Sequence, residues 1–304
     1  MSFNQRTLKV LVSIVIGAYF LYVLNSMIKT LPWMIDITLG TESLLPPTGL
    51  IVVKDQSLFA WHLMDYSGFL GLMIRVIGAF YALSAAILIL KPKKSVNLIR
   101  NKISWALLLE GLHYISFIPA IYFLLSFSAL PSVSNFLLST VLSTQILLIS
   151  PFLMILSFKV KKYENGANMS SIVRLAALSS LTYIIAVWIA YMLKWTEMMA
   201  VDPYLFSALS FRIAGFLNTI IVQSLAVFFA VIGVFHTFRK SSEKLSMRWW
   251  ALSLIFLSTH IILYVIYCAS VGITRFIIFG ELWVIPLLGV GAYLLLKNPT
   301  IKRS

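Results

Sequence analysis

The sequence predicts an all-α integral membrane protein: eight transmembrane helices, formed by tandem duplication of a four-helix unit in parallel orientation. Three observations predict it. Of 304 residues, 60% are hydrophobic and only 11% charged, with a mean hydropathy of +0.95. A soluble domain carries about 25% charged residues, and a chain of this size cannot bury so much apolar surface in water. The apolar residues gather into runs of about 20, the length that crosses a bilayer as a helix. The basic residues collect in alternate loops between those runs, as expected when cytoplasmic loops retain Lys and Arg.

The expected spans are residues 10–28, 68–90, 103–127, 135–158, 172–193, 215–238, 249–270 and 276–296. Barrel strands would be near ten residues with strict alternation. The first run follows Arg6 and Lys9, lacks a small-x-small cleavage pattern and reads as a retained span. Residues 29–67 form the longest expected loop, with turn signals at Gly40, Pro46, Pro47 and Gly49 and a short extended piece at 50–53. The loops leave no room for a soluble catalytic or nucleotide-binding domain. Eighteen of the 24 Lys and Arg residues fall on one face, in the N-terminal stretch, the 91–102, 159–174 and 239–248 segments and the tail. Both termini are therefore expected on the cytoplasmic side, of the plasma membrane by preference. The +14 net charge is accounted for by these loops and does not call for nucleic acid.

The halves resemble each other at an offset of 147. Asp55, Leu58 and Phe59 align with Asp202, Leu205 and Phe206; Gly68-Phe69-Leu70 aligns with Gly215-Phe216-Leu217; Lys93 and His113 align with Lys240 and His260. Residues 1–158 are read as the first four-helix unit, 159–174 as a cytoplasmic linker centred on Gly166, and 175–304 as the second unit. Copies with an even number of spans share one orientation and pack side by side. Pro151 and Pro286 each bend a span.

Ionisable groups inside spans are costly and are the first functional candidates. His113 and His260 lie about ten and eleven residues above the basic ends of their spans, near the midplane, and occupy equivalent positions. Paired imidazoles at that depth suit proton or substrate handling, or ligation of haem, a metal or a quinone; hydrogen-bonded packing is the plainer alternative. Glu110 precedes His113 by three residues and shares its helix face. The Glu-x-x-His pattern serves di-metal bundles only when repeated, and Leu257 stands at the position equivalent to Glu110. Arg75 is a deep cation able to attract an anion, and Gln223 lies near its register. Asp65 and Arg212 occupy equivalent positions near the opposite face and are expected to form an interunit charge pair. Gln145 and Asn218 read as interhelical contacts. Trp61, Trp195, Trp249 and Trp250 mark the membrane boundaries.

Cys268 is the only cysteine, so no intrachain disulfide or CxxC centre exists. There is no Walker loop, HExxH or GxSxG motif. In length, span number and duplicated units the chain resembles haem A synthase, and Glu110-Gly111-Leu112-His113 fits that family's acid-x-x-His spacing. The resemblance implies haem ligation, but the family places its ligand histidines in even-numbered spans and often carries an outer-loop cysteine pair. Here His113 and His260 fall in odd-numbered spans and Cys268 stands alone. Arg75-x-x-Gly78 is similar to a step in small four-span DoxX-like proteins. Each motif covers four residues, and neither assigns a family.

The leading functional class is a transporter or permease-like protein with an intramembrane polar site formed by His113, His260, Glu110, Arg75 and Gln223. The alternatives are a membrane redox or haem- or quinone-binding protein using His113 and His260, and a structural or accessory subunit. The implied partners are the lipid bilayer, a small-molecule or ion substrate, and a homo-oligomer or larger membrane complex.

The sidedness is testable. With Cys268 replaced by serine, Lys93→Cys and Lys161→Cys should react with an impermeant thiol reagent from the same side, and Lys54→Cys from the other. Labelling of the first two from opposite sides would overturn the expected topology.

Overall fold

The computed structural model describes residues 3–39, 58–91, 96–119, 145–163, 169–201, 213–239, 243–270 and 284–297. All regular structure among them is helical. The elements are α1 (Phe3–Leu39), α2 (Leu58–Leu90), α3 (Val96–Ile115), α4 (Ser150–Lys161), α5 (Met169–Val201), α6 (Ser224–Phe238), α7 (Glu243–Ser270) and α8 (Val284–Lys297). A wide π turn, Gln145–Ile149, leads into α4, and another, Asn218–Gln223, leads into α6.

The expected eight spans are corrected. Among the described residues, five helical segments are long and apolar enough to cross a bilayer: Arg6–Pro32, Tyr66–Leu90, Met169–Ile189, Ile213–Phe238 and Leu245–Ile266. The reasons are local. Within its 20 residues α3 carries Arg100, Lys102 and Glu110, which interrupt its apolar run. Helix α4 has 12 residues and α8 has 14, and 14 residues rise only about 21 Å against a hydrocarbon core of about 30 Å. Parts of the expected spans 103–127, 135–158 and 276–296, and the expected extended piece at 50–53, lie outside the described residues. Helices α1, α2 and α5 run past the expected boundaries: α1 continues to Leu39 with Pro32 inside it, and α2 begins at Leu58 rather than 68.

The substantial contacts follow the chain: each helix packs on the next from α1 to α8, and α8 returns to α1. Among the described residues, the first four helices meet the last four mainly along two seams, α4 on α5 and α8 on α1.

The packing is inverted relative to a water-soluble bundle. Ala226, Ala230 and Ala251 are fully buried, as are Thr219, Gln223, Ser253 and Ser258. Leu21, Phe80, Leu147 and Leu296 are 55% to 81% exposed. Large apolar surface on the outside is stable only against lipid, so the chain is an integral, multi-pass helical membrane protein. Small residues inside let helix backbones approach, and serine hydroxyls supply the interhelical hydrogen bonds. Ser150 Oγ donates to the Gly111 carbonyl at 2.8 Å, Ser157 Oγ to the Ser104 carbonyl at 2.7 Å, and Ser253 Oγ to the Ala226 carbonyl at 2.8 Å. A Cβ at Gly111 would lie 3.0 Å from Met154 Cγ and 3.2 Å from the Ser150 carbonyl oxygen.

Gly111→Leu should therefore force α3 from α4 and cost about 1–3 kcal/mol or more, seen as earlier thermal unfolding in detergent. Leu21→Ala, on the outer surface of α1, should leave the transition nearly unchanged.

Candidate functional site

Helices α1, α2 and α3 bring one residue each to a common point. Tyr19 stands midway between the ends of its span, Arg6–Pro32, about 20 Å from either by helix rise. Arg75 lies about 22 Å along α2 from Leu90, and Glu110 about 21 Å along α3 from Val96. The antiparallel helices therefore meet at matching depth. Arg75 Nε is 3.2 Å from Glu110 Oε1 and donates to the Tyr19 hydroxyl at 2.9 Å. That hydroxyl donates to the same Glu110 oxygen at 3.1 Å. The Arg75 Cζ is 5.4 Å from the Tyr19 ring centroid, so the tyrosine meets the cation with both its face and its oxygen.

The Arg75 and Glu110 side chains are 22% and 20% exposed. The site is neither sealed nor open to its whole width. Only Nε of the guanidinium is engaged; among the described residues its two Nη groups, four N–H donors in a planar fork, meet no acceptor. Such a fork matches a carboxylate or a related planar anion.

His113 lies one turn beyond Glu110 and is buried. Its Nδ1 is 2.8 Å from the Gly71 carbonyl oxygen. A carbonyl can only accept, so Nδ1 carries the proton and Nε2 holds the lone pair in the neutral ring. Gly71 is one turn before Arg75 on α2. A Cβ there would collide with Ser116 Oγ and lie 3.3 Å from His113 Nδ1; the glycine is what admits the imidazole. Tyr114 and Phe117 complete the aromatic surround, with centroids 5.3 Å and 5.0 Å from the His113 ring.

His260 is 1% exposed and lies on α7. Its ring packs edge-on against Tyr191 at 5.2 Å, and neither ring nitrogen has a hydrogen-bond partner among the described residues. Asn218 Nδ2 donates to the His260 carbonyl at 3.0 Å. The fully buried Gln223 amide also lacks a partner among the described residues. The His113 and His260 positions thus share one feature: each joins the residue 42 positions before it, Gly71 or Asn218, and the two pairs are themselves 147 apart. In one half the histidine side chain bonds the partner's backbone; in the other the partner's side chain bonds the histidine backbone.

Of the sequence candidates, the structure brings Arg75 and Glu110 into contact with His113 beside them, and places His260 and Gln223 on the other half. Arg212 lies outside the described residues, and the side chain of Asp65 is not among those described, so the expected Asp65–Arg212 pair lies there too. Sequence reasoning missed Tyr19, one of 13 tyrosines; its signal was a hydroxyl at the centre of a span, away from the interfaces where tyrosine is usual. Among the described residues, no three His, Cys, Asp or Glu side chains come together as a metal-binding group.

Removing one member of a desolvated ion pair strands the other charge, at a cost of up to about 3 kcal/mol. Arg75→Gln and Glu110→Gln should each lower the unfolding temperature in detergent. The double variant should lose less than the sum of the two. Strict additivity would show that the charges do not interact.

Comparison with protein-family models, with curated proteins and with solved structures finds no match, so the functional reading rests on the chemistry of these side chains.

Proposed function

We propose that the protein is a transporter or permease-like carrier whose polar site is formed by Arg75, Glu110 and Tyr19, with His113 beside it, and whose substrate is a small anion taken with a proton. The observation that carries the reading is the half-engaged guanidinium: a cation deep in a span, paired through Nε alone, with both Nη groups turned to no protein acceptor among the described residues.

Charge counting gives the coupling. With Glu110 ionised the site is neutral. An anion added to it would leave one uncompensated charge in a low-dielectric surrounding, which is costly. Protonation of Glu110 removes the competing carboxylate, and the Arg75 fork then turns to the anion. The loaded site is again neutral. The groups facing Glu110 are Arg75 on α2, Tyr19 on α1 and, on its own helix, His113 and Tyr114. Tyr19 follows the exchange by keeping a hydrogen bond to whichever oxygen remains.

On this reading the basic loops and both termini face the cytoplasm across the plasma membrane. Residues 1–158 and 175–304 are repeated halves about the 159–174 linker. The matching Gly71–His113 and Asn218–His260 contacts and the two seams support the repeat. The charges belong to the first half alone, since Val222 and Leu257 stand where Arg75 and Glu110 would recur.

Proteoliposomes loaded with a pH-sensitive dye test it. Gradients of chloride, nitrate or lactate should drive protons and at least one of these anions together, one for one, without dependence on membrane potential. Arg75→Gln should reduce the flux to that of empty liposomes, Arg75→Lys should restore little, and Glu110→Gln should remove the proton while leaving anion exchange. Flux in Arg75→Gln equal to the parent, or none above empty liposomes with any of the three anions, overturns the proposal.

A further inference from the structure

The second half holds a cluster of buried polar atoms that the Arg75 site does not use. Gln223 is fully buried inside the span Ile213–Phe238, and both atoms of its amide lack a hydrogen-bond partner among the described residues. The same holds for Asn218 Oδ1 and for both ring nitrogens of His260, inside the span Leu245–Ile266. Buried polar groups in native proteins are nearly always bonded, to protein or to ordered water.

These groups are neighbours. Asn218 Nδ2 bonds the His260 carbonyl, and Ser253 Oγ bonds the Ala226 carbonyl. The π turn Asn218–Gln223 and α6 are thereby fastened to α7 at two levels, and Gln223 lies between them. Thr219, Gln223, Ala226 and Ala230 make a fully buried stripe along that side. The edge-on ring of Tyr191, from α5, packs against the His260 imidazole at 5.2 Å. The π turn places the amide. On α2, Arg75 follows the contact residue Gly71 by one turn of four residues. After Asn218 the turn takes one residue more, so Gln223 rather than Val222 stands one turn beyond the contact.

The unused groups set the ligand. The Gln223 amide offers two N–H donors and an acceptor oxygen, Asn218 Oδ1 accepts, and a neutral His260 ring has one N–H and one lone pair. No Lys, Arg, Asp or Glu occurs in residues 175–193, 213–238 or 249–270, so an ion brought here would stay uncompensated. The ligand is therefore uncharged and both donates and accepts. Water meets both requirements, and a buried water typically makes about three hydrogen bonds to such groups.

We infer that the π turn before α6 binds a small cluster of ordered water molecules, which bridges the Gln223 amide to the His260 ring and Asn218 Oδ1 inside the membrane. The site is separate from Arg75 and does not depend on transport.

X-ray radiolytic footprinting of the full chain in nanodiscs tests it. A hydroxyl radical reacts close to the water that forms it. His260 is 1% exposed, so radicals from bulk solvent do not reach its ring, whereas radicals from water bound beside it do. The parent protein should therefore show oxidation of His260 under pulses too short for the bundle to open. Gln223→Met, which keeps the length of the side chain and removes its donors and acceptor, should lose most of that oxidation; an unchanged unfolding temperature confirms that it folds. Gln223→Leu gives the same reading if the methionine variant does not fold. His260 left unoxidised in the parent, or oxidised as fast in a folded variant as in the parent, overturns the inference.

Discussion

The charge on Arg75 is carried into a region where water cannot balance it, and the first three helices are arranged around that requirement. Glu110 neutralises it from α3, and Tyr19 from α1 joins both partners with one hydroxyl. The contact fixes the depth at which three helices meet. It also explains why α3 is the least apolar helix of its half: the carboxylate it must deliver interrupts its own hydrophobic run. A neutral pair is the least costly form of two charges in hydrocarbon, yet it remains weak evidence for stability, because two apolar side chains of the same size would hold the helices as well.

The rest of the bundle meets the same solvent with uncharged groups. Lipid gives no hydrophobic advantage to burying leucine, so large side chains face outward and alanine, glycine and serine occupy the contacts. Serine hydroxyls bond carbonyls across helix pairs at Gly111, Ser104 and Ala226, where small residues bring backbones close.

The membrane class was legible because it depends on sums. Hydropathy over about 20 residues averages over many side chains, so no single misreading damages it. Span number depends on local detail and was not legible: Arg100, Lys102 and Glu110 lower the apolar character of α3, and the π turn before α6 depends on one extra residue per turn. Helix α1 runs past Pro32, where composition suggested a loop. The site was half legible. Arg75, Glu110 and His113 stand out as polar residues in apolar runs, but their pairing is a matter of helix rotation and register across 35 residues of sequence. Glu110 was read against its helical neighbour His113, whereas its hydrogen-bonded partners are on α1 and α2. Tyrosine is common enough in membrane proteins that Tyr19 does not stand out by residue type; only its place at the centre of the first span marks it.

The two halves use one contact position for different ends. At Gly71 the missing side chain admits an imidazole, and the histidine fastens α3 to the helix turn that carries Arg75. At Asn218 a side chain is present, the imidazole is not bonded there, and the asparagine reaches the histidine backbone instead. The second arrangement leaves His260 and Gln223 buried with polar atoms unpartnered among the described residues, on helices whose equivalent positions to Arg75 and Glu110 are valine and leucine. On the repeat proposed here, a symmetric scaffold has concentrated charge on one side and left neutral polar groups on the other. A carrier that changes the access of one site gains from that division. On the proposed carrier reading, the half with the Arg75–Glu110 pair holds the substrate and the proton, and the other half shifts against it along the two seams without moving an ion pair through hydrocarbon.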